Sequence, residues 1–420
     1  NVTANNLRIQ TASVGTYAQP LRTSVGRMSA LTSGSIFVNE TDALEIGAVG
    51  ASVTQVFDNG TTSVITDAIQ SDVQTTANGD IYLYAAGALS LGDGSDEDGM
   101  SATAHGTGRI RLASGATVTV NADVASTTGV VTVESVGNLT VGADVNVSTG
   151  ADISLESTSG NIELGVESFV NAGSAVVRLA ALGTVSVGDI TASSVSLISG
   201  GALTVASANS LITANDLRIA SGSVGTATAP IRTSADTLSV SSTGAVYVSE
   251  AFGLTIGSVA VTTTRFSGAS ENTSVTDSAQ SDLSAGDDSV LIVESGNLVI
   301  GDGTDADGIG ISAAGSGRIL IETVAGNVSL NADVESLSGA ITMISGGALA
   351  LGGSVSVSTL GDVYTDSDGA TNLAATATIL GAGVNVNAGG NIVLGRIEAT
   401  DVELVSGAAI SVATGSPVQV

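Results

Sequence analysis

Cysteine, lysine and tryptophan are absent from this 420-residue chain, and proline occurs only 3 times. Without cysteine there is no disulfide, no thiolate metal ligand and no thiol nucleophile. Without lysine there is no side-chain amine for Schiff-base chemistry or for an isopeptide staple to asparagine. All 11 basic residues are arginines. Aromatics make up 2% of the chain. A wide globular core ordinarily needs Phe, Tyr and Trp, so the aliphatic residues here suit a narrow one. Apolar content of 43% and a mean hydropathy of +0.42 exclude disorder. The 54 glycines keep no every-third spacing, which excludes a collagen triple helix.

Positive charge is also scarce. Forty acidic residues face 11 arginines, for a net charge of −29. Such a surface repels nucleic acid, whose phosphates need a basic patch, and it attracts divalent cations. No apolar run reaches the roughly 18 residues that a membrane span takes. Neither nucleic-acid binding nor membrane insertion is therefore expected of this segment. No basic stretch followed by an apolar one opens the chain as a signal peptide would. Residue 1 falls inside a repeat, so the sequence reads as a piece of a longer tandem array with its export signal upstream.

What the chain has in abundance is repetition. Residues 3–24, TANNLRIQTASVGTYAQPLRTS, return at 213–234 as TANDLRIASGSVGTATAPIRTS. Leu7 matches Leu217, Gly15 matches Gly225, Pro20 matches Pro230 and Arg22 matches Arg232, each 210 residues apart. Two copies follow, 1–210 and 211–420, with further copies of the same repeat as the expected neighbours in the chain. SPVQV at 416–420 would lead into another such copy.

A shorter beat runs inside each copy. Alternating apolar triplets such as VSLI and LTV are separated by SGG, GN or AN, so strands alternate with tight turns. A period of about 20 residues with two or three strands is one coil of a parallel β-helix, which buries its inward face only by stacking on its neighbours. The fold expected is all-β, a right-handed parallel β-helical solenoid with essentially no α-helix and nearly twenty coils. An α-solenoid fails, because glycine and β-branched residues are too dense for sustained helices. Phe37, matched by Tyr247, reads as outward-facing between inward Ile36 and Val38. Residues 48–79 and 258–289 break the beat, carry the shared Asp67/Asp277, Gln70/Gln280 and Ser71/Ser281, and read as enlarged coils with projecting loops.

The order ANDLRI, GSVGTATAPIRT, LSVSSTGAVYVSE and GLTIG, with SGGALTV (199–205) and SGNIELG (159–165) as coil turns, resembles the giant exported β-helical proteins of bacteria, of which filamentous-haemagglutinin-like adhesins are the best known. The resemblance covers essentially the whole chain and implies a right-handed β-helix at the bacterial cell surface or in an extracellular matrix. It also implies export by a dedicated outer-membrane route, although the family's N-terminal export domain has no counterpart here. The function expected is a structural rod segment of a long extracellular fibre or adhesin, not an enzyme. Its expected partners are neighbouring rods or cell-surface and host glycans.

Chemistry concentrates in one duplicated stretch. GDGSDEDG at 92–99 returns as GDGTDADG at 301–308, so Asp93, Asp96 and Asp98 correspond to Asp302, Asp305 and Asp307. Alternating carboxylates closed by glycine can wrap a hard cation such as calcium. The loops match neither the EF-hand nor the calcium β-roll pattern, and an Asp/Gly-rich solvated turn is the plainer alternative. His105, the lone histidine, has Ala314 at its place in the second copy and reads as a surface residue. Arg8, Arg22, Arg109, Arg218, Arg232 and Arg318 recur between copies and are expected to bridge acidic neighbours on adjacent coils. Because β-helices also carry polysaccharide lyases and hydrolases, a polysaccharide-binding or polysaccharide-degrading domain is the alternative function. The glycine-rich stretches open no helix, so they are not phosphate loops.

Overall fold

The computed structural model describes residues 1–268 and 271–415; the SPVQV stretch lies outside the described residues. The chain is a parallel β-solenoid of about 19 turns with about 22 residues per turn, and no described residue is helical. The period exceeds the expected 20 because the corners take extra residues. Along one side of the ladder Ile110 pairs Val131, Val131 pairs Ile153 and Ile153 pairs Val177, and these steps lengthen from 21 to 22 to 24 residues.

Two compact units divide the chain differently from the two sequence copies. Unit 1 comprises Asn1–Ala192 with Thr262–Val275, and unit 2 comprises Ser193–Val261 with Thr276–Val420. In unit 1 each regular turn has three strands, as in Ile110–Ser114, Val118–Val120 and Asp123–Ser126. Their inward residues form stacks that shed all contact with water: Leu112 on Val133 on Leu155 on Leu179, and Leu89 on Val118 on Leu139 on Ile162. Unit 2 repeats the scheme, with Ile319 on Ile341 on Val363 and Leu298 on Val328 on Leu349. Each buried aliphatic contributes roughly 1.5–3 kcal/mol, so stability accumulates turn by turn.

The turn residues have specific duties. In the GN turns the Asn carboxamides stack and accept backbone N–H groups one turn on: Asn138 Oδ1 from Asn161 (3.0 Å), and Asn161 Oδ1 from Thr184 (2.9 Å). Asn327 Oδ1 does the same for Ala348 at 2.8 Å. Corner hydroxyls donate to glycine carbonyls, as Ser126 does to Gly108 (2.6 Å) and Thr359 to Gly339 (2.6 Å). The Ser/Asn/Gly corner vocabulary is therefore a hydrogen-bond ladder that satisfies the backbone wherever the strands stop.

Both enlarged turns carry an antiparallel hairpin, termed here the first and second arm. The first pairs Ser52–Val56 with Thr62–Thr66, and the second pairs Val259–Phe266 with Asn272–Gln280. Their bases are anchored alike. Arg8 donates to the carbonyl of Ala68, and Gln70 donates to that of Ile9; Arg218 donates to Ser278, and Gln280 to Ile219. The tips differ. Every residue of the first arm's two strands is exposed, as expected of a projecting loop.

The tip of the second arm, residues 262–268, instead lies on unit 1 and corrects that expectation. Phe266 is fully buried in a cluster with Phe37 and Val130, against which Tyr82 packs. Its N–H donates to Thr132 Oγ1 at 3.0 Å, and the N–H of Thr264 donates to Asp152 Oδ2 at 2.6 Å. Arg265 reaches both Glu134 and Glu156, which Arg111 and Arg178 flank. Phe37 does point outward, yet it is 9% exposed because this tip covers it. Gly268 permits the closest approach: at φ +89°, a Cβ there would lie 2.3 Å from the Tyr82 ring.

Candidate metal centres

Each acidic loop connects two strands of one turn. Residues 92–99 join Leu89–Leu91 to Met100–Ala104, and 301–308 join Leu298–Ile300 to Ile309–Ala313. The loops fold onto the end of the preceding arm. Ser71 Oγ accepts the N–H of Ser95 (3.1 Å), and Ser281 Oγ accepts that of Thr304 (3.2 Å). Gly94 and Gly303 make this possible; both have positive φ, and a Cβ on either would stand 2.5 Å from that serine oxygen.

The structure adds one carboxylate to each predicted set. In the first loop the ligand atoms of Asp96 and Asp98 come within 4.8 Å of one another and of Asp72. In the second, Asp302 and Asp305 converge with Asp282. The remaining predicted residues, Asp93 and Asp307, cap their own loops, while Asp98 and Asp302 do both. Asp93 and Asp302 accept the N–H of Gly99 and Gly308 (3.0 and 2.8 Å), while Asp98 and Asp307 accept from Met100 and Ile309 (2.9 and 2.8 Å). A three-carboxylate core thus forms in both copies, drawn from partly different loop positions around the same buried aspartate.

Asp72 and Asp282 are 7% exposed, and in each Oδ1 is buried without a hydrogen-bond partner. Both hold left-handed backbone, at φ 63° and 66°. That conformation suits Asp or Asn at the end of an arm. Burial, then the charges of Asp96, Asp98 and Asp93, push Asp72 up to about 8 from its ordinary 3.8. Burial and the carboxylates of Asp305, Asp307 and Asp302 push Asp282 up to about 7. A hard divalent cation would reverse both causes, by coordinating the orphan oxygen and cancelling the repulsion. The sequence signal for this residue was the shared QSD at 70–72 and 280–282, whose Gln and Ser were noticed while the Asp was not.

The other singled-out residues stay apart from these centres. His105 is exposed, and its Nδ1 lies 2.7 Å from the Thr75 carbonyl. Arg109 and Arg318 pair with Asp80 and Asp288 on the adjacent turn, as expected. Arg8 and Arg218 each donate to an arm carbonyl. Two further buried carboxylates escaped the sequence reading. Glu40 accepts N–H bonds from Val25 and Asp42, and Glu250 accepts from Thr233, Ala235 and Phe252. Both are fully buried where the turns widen.

No family profile matches the chain, and neither a curated protein nor a solved structure is significantly similar to it.

Proposed function

We propose that this chain is a structural segment of a long extracellular bacterial fibre, the shaft of an adhesin or matrix filament, and that its two acidic centres bind calcium. The observation that carries the reading is the twin centre itself: one buried aspartate with an unpartnered oxygen facing two loop carboxylates, built at the same place in both copies. A ligand site repeated with the structural repeat serves the scaffold more naturally than a single reaction. The stacked aliphatic core of each unit supports a mechanical role, since every turn rests on its neighbours. A groove of about 590 Å³ in unit 2 is lined by Ser, Ala, Thr and Leu with Glu335 as its lone carboxylate. Glycoside hydrolysis ordinarily takes a pair.

Calcium would close each loop onto its arm's end and offset charge in a chain of net −29. A partly exposed site of this kind fits affinities on the order of 0.1–1 mM, adequate outside the cell. Calorimetry at pH 7.5 should find two calcium ions per chain, with D72N and D282N each removing one. No binding heat, together with the same melting temperature in calcium and in EDTA, would overturn the metal reading. Protease shaving of intact producing cells tests the location; a chain released only by lysis would overturn the fibre reading.

A further inference from the structure

On the face of unit 1 that the second arm covers, Tyr84, Ala113, Glu134 and Glu156 stand side by side in the parallel ladder, one to a turn. Three of these side chains are long and that of Ala113 is a methyl group. Tyr84 and Glu134 are two strand spacings apart, about 10 Å, so the column has a gap between them. A cavity of about 340 Å³ opens there, with Arg111 and Arg265 also in its lining. That volume falls within the range of small-molecule sites, about 300–1,000 Å³.

The walls of this slot are held in place. Arg265 arrives with the arm tip, whose Phe266 is fully buried, and pairs with both Glu134 and Glu156, while Arg111 pairs with Glu134. The four side chains are between 16% and 24% exposed. Groups fixed in this way lose little freedom when a ligand arrives. Tyr84 leans toward the next turn, where a Cβ on Gly115 would stand 3.4 Å from its hydroxyl. The matching column in unit 2 reads Ile292, Glu322, Ile344 and Asp366. A glutamate there takes the place of Ala113, and isoleucines replace the ring and the first carboxylate. The hollow is particular to the first copy, so the solenoid itself does not require it.

The chemistry of the walls selects the ligand. Guanidinium N–H groups only donate and carboxylate oxygens only accept, and here they lie next to one another. A hydroxyl does both, so it bonds across such a pair without breaking it. A carboxylate on the ligand would face the two glutamates, and an ammonium the two arginines. The Tyr84 ring offers a flat apolar face with a polar tip, which suits the C–H side of a sugar ring. We propose that this slot binds one uncharged pyranose unit of a glycan. Glu134 lies between Arg111 and Arg265, and Glu156 between Arg178 and Arg265. With both held in ion pairs, neither is placed to give a proton to a glycosidic oxygen, so the slot holds a glycan without cleaving it.

Saturation-transfer NMR of the full chain tests this with the methyl glycosides of glucose, galactose, mannose and N-acetylglucosamine. Recording in EDTA keeps any sugar held by calcium at the acidic centres out of the signal. At least one of the four should receive transfer, and methyl glucuronide and glucosamine should bind more weakly than it does. Ala113→Gln fills the hollow with a side chain the size of Glu322, which the same position of unit 2 accommodates. It should weaken the glycoside about tenfold or more while the melting temperature and the amide protection across 262–268 hold. Tyr84→Ala is the second variant and should cost about tenfold, the worth of one aromatic contact. No transfer to any of the four, binding that survives both substitutions, or tighter binding of methyl glucuronide than of the neutral glycosides would each overturn the proposal.

Discussion

The two arms share a base and differ at the tip. Arg8 and Arg218, and Gln70 and Gln280, make the same contacts at nearly the same distances. Beyond the base, Val56 is 69% exposed while its counterpart Phe266 is 0% exposed. The difference owes little to hydrophobicity, since the exposed arm is the more apolar of the two. It follows from what lies beneath each tip. Burial at these positions is a property of the pairing between arm and face, and the repeat supplies both halves.

The largest effect should come from Phe266→Ala. The residue is fully buried and carries the seat of the tip, so its loss should free the tip from unit 1 by about 3–5 kcal/mol. Val56→Ala, at an exposed position, should stay within about 0.5 kcal/mol. Amide exchange across 262–268 measures the first and across 52–56 the second. Equal protection changes in the two arms would erase the distinction between them.

The acidic centres sharpen the comparison in the opposite sense, as the part of the widened turn that the copies share. Asp72 titrates near 8 and Asp282 near 7, both above the ordinary 3.8. A raised folded value means stability that is complete below about pH 4 and is lost as pH rises through the folded value. The calcium-free chain should therefore lose stability between about pH 4 and 8. Asp72→Asn keeps the left-handed backbone and removes the charge. It should stabilise the calcium-free chain at pH 8 by on the order of 2 kcal/mol and abolish the gain from calcium at that site. Thermal melts across pH in EDTA and in calcium test both signs. A variant destabilised in EDTA would show that the carboxylate is a structural acceptor.

Much of this was legible in the residues. Period-two triplets with Asn, Gly and Ser at the breaks specified the solenoid, because each stacked position must repeat its own chemistry one turn later. The inward assignment of Ile36 and Val38 holds, as both are fully buried. The acidic loops stood out because their carboxylates are consecutive in sequence. Asp72 and Asp282 did not, since they reach those loops through the fold from 24 and 23 residues before Asp96 and Asp305. The seat of Phe266 was invisible for the same reason in stronger form: it lies 134 residues from Thr132, and nothing local in TTTRFSG marks a buried ring. Outward residues of a solenoid read as surface until something is known to cover them.

The smallest effect should come from the ionic part of the seat. Arg265→Gln copies the first arm's residue into the second arm. It leaves Glu134 with Arg111 and Glu156 with Arg178, so no carboxylate is stranded. Partly exposed pairs of this kind contribute about 1 kcal/mol or less, and the loss should shrink further at 0.5 M salt. The reverse change, Gln55→Arg on the exposed arm, should leave the stability of the chain unaltered. A double-mutant cycle of R265Q with E134Q, read by amide exchange across 262–268, isolates the pair itself. A coupling well above 1 kcal/mol would mean that charge, more than the Phe266 ring, decides which arm lies down.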